Sequence, residues 1–585
     1  MDMINVKING VDYSVAKGST VLEAAKAAHI DIPTLCYLKD INEIGACRLC
    51  LVEIAEMRGP ALGPWRMVTA CVYPCTEGME IKTNTPKIAA SRKMNLELLL
   101  SNHNQDCLSC VRSTNCELQT LCREYGVTSS TFVGEKTESV IDDKSPIIRD
   151  NSKCVLCRRC VATCSKIQQI GVIGANNRGF DTYVGSQFGI NLADTSCINC
   201  GQCIVSCPVG ALYERDDTDD VFAALADPTK HTVICTAPSV RAQIGECFGY
   251  EPGTDCEGKM VAALKALGFD GVYDMNLTAD LTIVEEANEL LGRVKNGGAL
   301  PMITSCSPGW IKYCEHYFPE FTDNLSTCKS PQQMFGAVVK TYYAQKMGWD
   351  PKDIVMVSAI PCTAKKFEVG RPNQAAAGVP DVDYAITTRE VGRMIHKAGI
   401  NFRALEDAKF DDPFAIGSGA GAIFGATGGV MEAALRYAAE VILGKKLEKV
   451  DFTEVRGTEG IKTASYKLGD LTINVAVASS TGKAKELLNK VKAGELDVQF
   501  IEIMGCPGGC VNGGGQPIQP ASVRMNTDLR AVRAAVLYND DANDSLRKSQ
   551  DNLAVQKLYD EFFGAPNSHK AHEILHTTYV KRGLY

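Results

Sequence analysis

Apolar and polar positions alternate from residue 3 to 13, with Ile4, Val6 and Ile8 running into Asn9-Gly10 and out again through Val11 and Tyr13. A period of two on both sides of Asn-Gly predicts a two-residue β-hairpin. Thr20 and Glu23 then stand at capping-box spacing around Val21, Leu22, Ala24 and Ala25, which predicts a helix opening there. A hairpin followed by a helix makes a small α+β module. A further helical run covers 94–100. Beyond residue 211, strand-like apolar runs at 233–235, 354–358 and 473–477 alternate with longer helical stretches such as 430–443, the pattern of an α/β domain. Gly417-x-Gly419-x-x-Ala422 has the spacing of a dinucleotide loop. Asp411-Asp412-Pro413 breaks the run before it and no phosphate-binding context follows, so no nucleotide is expected there.

At 585 residues the chain exceeds what one core can fill, so several domains are expected. A net charge of -8 offers no basic field for nucleic acid or anionic lipid, and neither is expected as a partner. Residues 1–8 lack the basic and then apolar pattern of an export signal, and no apolar stretch reaches the length of a membrane span. The expectation is a soluble cytoplasmic protein without a membrane partner. In a reducing cytosol thiols do not pair structurally, so 26 cysteines point to metal or redox chemistry.

Cys36, Cys47, Cys50 and Cys71 are spaced C-x10-C-x2-C-x20-C, which resembles the 2Fe-2S loop of plant-type ferredoxins, although the first gap is shorter there. A zinc site has the same ligand types. Cys75 reads as a spare buried thiol or an alternative ligand. His103, Cys107, Cys110 and Cys116 suit either zinc or a His-ligated 4Fe-4S cluster, and beside the other motifs the cluster reading is preferred. Cys154, Cys157, Cys160 and Cys164, then Cys197, Cys200, Cys203 and Cys207 before Pro208, repeat the bacterial two-cluster ferredoxin run. In that pattern the fourth cysteine of each run serves the other cluster. One cluster is therefore assigned to Cys154, Cys157, Cys160 and Cys207, the other to Cys197, Cys200, Cys203 and Cys164. The first 210 residues read as a wire, and its active terminal must lie beyond.

Three segments there place cysteine beside proline and glycine: TSCSPGW at 304–310, PCTAKKFE at 361–368 and GCPGGCVNGGG at 505–515. They resemble the three signature motifs of the iron-only (FeFe) hydrogenases, and the resemblance extends over nearly the whole chain. It implies a multidomain fold of α+β ferredoxin-like N-terminal domains plus a large α/β hydrogenase domain. The divisions implied are a 2Fe-2S domain at 1–80, a His/Cys3 4Fe-4S domain at 81–125, a two-cluster domain at 126–210, a catalytic domain at 211–530 and a small-subunit-like segment at 531–585.

The cofactors implied are one 2Fe-2S cluster, three accessory 4Fe-4S clusters and an H-cluster, a 4Fe-4S cubane joined through cysteine to a diiron unit with carbonyl, cyanide and azadithiolate ligands. Cys362, Cys506 and Cys510 match the cubane ligands, with Cys510 bridging to the diiron unit. Cys306 matches the thiol that relays protons, a competent acid and base if its pKa stays near about 8.5. Glu286, Ser326, Glu289 and Arg293 match the outward proton route. Pro238, Ser239, Ser330, Gln332, Ile360, Lys365 and Met504 match positions around the diiron unit.

The chain departs from the family at Ser307, where the motif normally has a second cysteine that ligates the cubane. Serine oxygen is a harder, poorer ligand for cluster iron. Four arrangements remain open: Ser307 ligates, Cys306 ligates instead, Cys328 substitutes, or only three protein ligands are present. Cys314 is also additional and reads as packing. Ile360 replaces a methionine that usually precedes Pro361, altering a soft contact. The implied activity is reversible H2 formation from protons and electrons, exchanged with ferredoxin or with flavin- and NAD(P)-binding partner subunits. The alternatives are a slow or H2-sensing homologue, and an electron-transfer subunit without the diiron centre.

Overall fold

The computed structural model describes residues 2–137, 139–469 and 471–584. Met3–Ile8 pairs antiparallel with Val11–Ala16, and the turn residues Asn9 and Gly10 both take positive φ, 49° and 89°. That left-handed pair matches the twist of the flanking strands. Ile4, Val6 and Ile8 are buried, whereas Val11 is 54% exposed. Its strand is the sheet edge, and Val15 is its buried residue. Both capping-box bonds at Thr20 and Glu23 are made, and the helix Val21–Ala27 follows.

This first sheet runs in the order Val11–Ala16, Met3–Ile8, Met79–Lys82, Leu51–Ala55, Arg66–Thr69. Met79–Lys82 pairs with both Met3–Ile8 and Leu51–Ala55, so the expected division at residue 80 falls inside a central strand. The run at 94–100 is the end of a longer helix, Pro86–Ser101. Thr85 caps it by accepting from the Ile88 amide and Pro86 fills its first turn, a start signal independent of the apolar pattern. In the two-cluster unit, Leu212–Glu214 pairs with Ile147–Asp150 across the expected division at 210, which moves that boundary past Glu214.

Among the described residues the catalytic domain has two four-stranded sheets. One is wholly parallel, in the order Gly271–Asp274, His231–Thr236, Ile354–Ile360, Tyr384–Thr387. The other runs Met302–Ile303, Phe500–Met504, Leu471–Ser479, Ile461–Leu468, with only the last pair antiparallel. The three apolar runs and the helical stretch predicted from the sequence all fall in elements of their expected type, the last as Gly429–Leu443.

The glycines near 419 have a packing cause. A Cβ on Gly417 would lie 2.2 Å from Cβ of Asn276, and one on Gly419 2.3 Å from Oδ1 of Asp541. They allow close approach of chain to chain. The helices Leu529–Asn543, Leu553–Leu558 and His569–Leu575 close over this domain, and the first of them crosses the expected division at 530.

Candidate active site and its chain of cysteine clusters

The three cysteine-bearing motifs share one placement. Each follows the C-terminal end of a parallel strand: 304–310 after Met302–Ile303, 361–368 after Ile354–Ile360, 505–515 after Phe500–Met504. Pro238 and Ser239 likewise follow His231–Thr236. Loops at this end of parallel strands converge on a crevice. Here they line a mainly apolar cavity of about 80 Å³, onto which Cys306, Ser307, Cys362, Cys506 and Cys510 all open.

Pro238, Ser239, Gln332, Ile360, Lys365 and Met504 line the same cavity. Ser330 does not. Its hydroxyl donates to Glu368 at 2.9 Å, which places it one layer behind the wall. Glu368 is a site residue that the motif comparison passed over. It accepts from Ser330, from Gln332 at 3.2 Å and from the Lys365 ammonium at 2.8 Å, and so orients two lining side chains. The Lys365 ammonium also reaches the Cys306 carbonyl, at 3.2 Å.

The donor set fits an iron-sulfur group with polar diatomic ligands. Ser239 Oγ and Gln332 Oε1 are buried without a partner among the described residues. Buried polar atoms rarely stay unsatisfied, so a polar guest is called for. Burial of the thiols of Cys362, Cys506 and Cys510 pushes each above its ordinary pKa.

Ser307 precedes the helix Pro308–Tyr317, and its Oγ accepts the Gly505 amide at 3.1 Å. Cys328 turns away from the cavity. It is absent from the lining, and its Sγ lies 3.8 Å from the Glu289 carboxylate. The structure thus opposes Cys328 as the replacement ligand. Cys314 donates to the Phe318 carbonyl within the core.

The residues matched to the proton route lie together along the helix Asn276–Asn296 and the 324–328 segment. Cys306 is pushed well above the ordinary thiol range by burial and then by Glu286, so its neutral form is favoured more strongly than its sequence context implies. Glu286 is pushed up to about 8 by burial and then by Glu289. Neither of its oxygens closes a hydrogen bond, although the Ser326 hydroxyl and Ser305 amide face it. Ser326 donates to Glu289 at 2.8 Å, and Arg293 donates to Glu289 at 2.6 Å near the surface.

Two smaller cavities are lined by cysteines from both ferredoxin-like runs: Cys154, Cys157, Cys160 and Cys207 around one, Cys164, Cys197, Cys200 and Cys203 around the other. Each set draws its fourth thiol from the other run. The second set abuts the active site. A Cβ on Gly514 would fall 2.2 Å from the Cys200 carbonyl oxygen, and Thr363, next to Cys362, donates to the Asn199 carbonyl at 2.6 Å.

Nearer the N-terminus, Cys36 hydrogen-bonds Cys47, and the sulfurs of Cys50 and Cys71 are 3.3 Å apart. Cys75 is buried in the adjoining core. His103 is buried with Nδ1 unpartnered, and burial lowers its pKa, which keeps the ring neutral as a ligand must be. Cys107 and Cys110 sit on the short turn that follows, and Cys116 precedes the helix Glu117–Glu124.

Five sequence families match successive parts of the chain. They are a 2Fe-2S iron-sulfur cluster binding domain at 1–86, the NADH-ubiquinone oxidoreductase-G iron-sulfur binding region at 92–131 and a 4Fe-4S dicluster domain at 153–211. Residues 230–514 match the C-terminal domain of the iron-only hydrogenase large subunit, and residues 527–582 match the iron hydrogenase small subunit. The chain is 47% identical to the NADP-reducing hydrogenase subunit HndD of Solidesulfovibrio fructosivorans, over 100% of both chains. It is 43% identical to iron hydrogenase 1 of Clostridium pasteurianum, over 99% of this chain and 100% of that one. Among solved structures, apo HydA1 from Chlamydomonas reinhardtii aligns at TM-score 0.56 and 40% identity, over 63% of this chain and 100% of that chain.

Proposed function

Because the chain belongs to the iron-only hydrogenase family, we propose that it interconverts protons, electrons and H2 in the domain at 230–514, fed by the iron-sulfur domains before it. The observation that carries this reading is the meeting of Cys306, Ser307, Cys362, Cys506 and Cys510, from three distant motifs, on one cavity.

When bound there, an H-cluster supplies the hydrogen chemistry itself. Cys362, Cys506 and Cys510 would hold its cubane, and Ser307 would stand at the fourth position as a weaker oxygen donor. Lys365, fixed by Glu368, presents its ammonium to the cavity beside Ser239 and Gln332. Ile360, Phe424 and Met504 contribute apolar walls to the cavity.

The Cys306 thiol holds the proton nearest the reacting centre. Glu286 takes it up in a buried setting that favours the neutral acid, and Ser326 passes it to Glu289, where Arg293 meets solvent. The links from Ser326 and Arg293 to Glu289 are direct, whereas Glu286 closes no direct hydrogen bond among the described residues, so its links to Cys306 and Ser326 call for a bridging water. Cys36, Cys47, Cys50 and Cys71 would hold a 2Fe-2S cluster, and the His103 set and the two sets lining the smaller cavities would hold three 4Fe-4S clusters, which would supply electron transfer towards the active site, the set with Cys200 standing beside it. Their outside carrier is a ferredoxin or a flavin- and NAD(P)-binding subunit, and the name of the Solidesulfovibrio relative favours the second. No described helix is long and apolar enough to cross a membrane, and a cytoplasmic location belongs to this reading.

Ser307 favours a secondary reading, a slow or H2-sensing homologue whose cubane is less firmly held. Measurement of H2 evolution and uptake by matured protein separates the two. Turnover comparable with typical enzymes, on the order of 10 per second or more, supports the enzyme, and its absence in protein carrying the full cofactor supports the slow homologue.

A further inference from the structure

Cys328 and His576 are opposed residues of an isolated antiparallel bridge, fixed on each side by backbone bonds: the Lys329 amide to the Leu575 carbonyl and the Thr577 amide to the Thr327 carbonyl, both 2.8 Å. Side chains of directly opposed residues lie on one face a few ångströms apart. Glu289 projects onto the same face from the helix Asn276–Asn296. One ligand atom from each of Glu289, Cys328 and His576 lies within 4.8 Å of the others. Their side chains are buried or nearly so, with the Glu289 carboxylate and Arg293 opening towards solvent at 11% and 14% exposure.

We propose that Glu289, Cys328 and His576 form a binding site for a thiophilic divalent cation of the zinc class, set across the outer end of the proton route. The ligand types choose the metal. A thiolate and an imidazole suit zinc or cobalt and disfavour magnesium and calcium, which take oxygen. The carboxylate and thiolate together cancel the dication's charge, which matters in a buried site.

The surroundings also resemble those of a metal-binding histidine. His576 Nε2 lies 3.2 Å from the Glu285 carboxylate, which is itself held by the Tyr559 hydroxyl and the Asn567 amide. A carboxylate on one ring nitrogen fixes the tautomer and leaves the other as an acceptor able to ligate. That other nitrogen, Nδ1, faces the Thr327 hydroxyl at 2.7 Å, and Thr327 in turn approaches Glu289 at 3.4 Å. Binding displaces the Thr327 hydroxyl from Nδ1 and releases the Cys328 thiol proton to solvent, forms bonds from the metal to Sγ, Nδ1 and a Glu289 oxygen, and leaves a fourth position for water. No electron moves. Glu289 then has an oxygen committed to metal and no longer links Ser326 to Arg293.

The consequence for turnover rests on the proton route proposed above, whereas occupancy does not, so the experiment reads both. Cluster-loaded, matured enzyme is cleared of adventitious metal with a chelator and titrated with Co2+ by equilibrium dialysis and absorbance. The wild type is expected to retain one more ion per chain than Cys328→Ala or His576→Gln, with a thiolate-to-cobalt absorption missing from Cys328→Ala. Glu285→Gln, which spares all three ligands, is expected to weaken binding about 10–100-fold. Equal uptake by wild type and Cys328→Ala, with the same spectrum, overturns the site. Turnover is then compared with and without Zn2+, each variant against its own metal-free rate. Zn2+ is expected to slow the wild type on the order of 100-fold and to leave Cys328→Ala within about two-fold. Metal bound without loss of turnover keeps the site and removes Glu289 from the proton route.

Discussion

The Gly505 amide donates to the Ser307 hydroxyl at 3.1 Å, tying the first cysteine motif to the third at the wall of the cavity. In the proposed reading this oxygen stands in for a cysteine sulfur, and it is already engaged by a neutral donor. Ser307→Cys is expected to raise the reduction potential of the cubane, because a hard oxygen donor favours the more oxidised iron. The shift is expected to reach about 60 mV, a tenfold change in the one-electron equilibrium. A redox titration followed by electron paramagnetic resonance measures it, and turnover is expected to rise with it.

Glu286 is the pH-sensitive member of the route. The unfolded chain loses this proton near 4.5 and the folded chain near 8. Between those values the folded state binds more protons, so stability falls as pH rises through the window. Glu286→Gln removes that dependence. Denaturant midpoints of variant and wild type are expected to coincide below 4.5 and to separate, with the variant more stable, as pH approaches 8. The same variant is expected to lose turnover by about 10²–10⁴-fold. A variant less stable than wild type near the upper end of the window would contradict the buried, neutral acid.

The junction between wire and active site is steric. Gly514→Ala forces a Cβ to within 2.2 Å of the Cys200 carbonyl oxygen, a backbone contact that cannot yield by side-chain rotation. The two units must separate locally, at a cost of about 1–3 kcal/mol. H2 oxidation coupled to an external acceptor is expected to fall, while hydrogen-deuterium exchange at the active site, which needs no wire, persists. Loss of both to the same degree would place the damage in the active site.

His103 distinguishes a cluster from zinc. With its unpartnered ring nitrogen as a ligand, His103→Ala is expected to lower bound iron by about four atoms per chain, the content of one cubane, and His103→Cys to restore them. Zinc in place of that iron in the wild type would contradict the assignment.

Local chemistry was legible in the sequence where neighbours in the chain are neighbours in space. Asn9-Gly10 gave its hairpin and Thr20 with Glu23 its helix start, and the two C-x2-C-x2-C-x3-C runs anticipated the sets around the two small cavities. Boundaries were less legible, because Met79–Lys82 and Leu212–Glu214 pair with strands far back in the chain. The role of Glu368 depends on Ser330 and Gln332 arriving from another segment, although its place three residues after Lys365 was visible. Ser330 itself matched a site position yet faces Glu368 rather than the cavity. The bridge between Cys328 and His576 spans some 250 residues, and no spacing rule reaches that far.

Infrared spectroscopy of the matured protein tests most directly whether Cys362, Cys506 and Cys510 grip one iron centre. Bands of iron-bound carbonyl and cyanide are expected in the wild type and are expected to vanish in Cys510→Ala while the accessory cluster signals remain. Wild-type protein that takes up its full iron yet shows no such bands, or a Cys510→Ala variant that keeps them unchanged, would contradict the account.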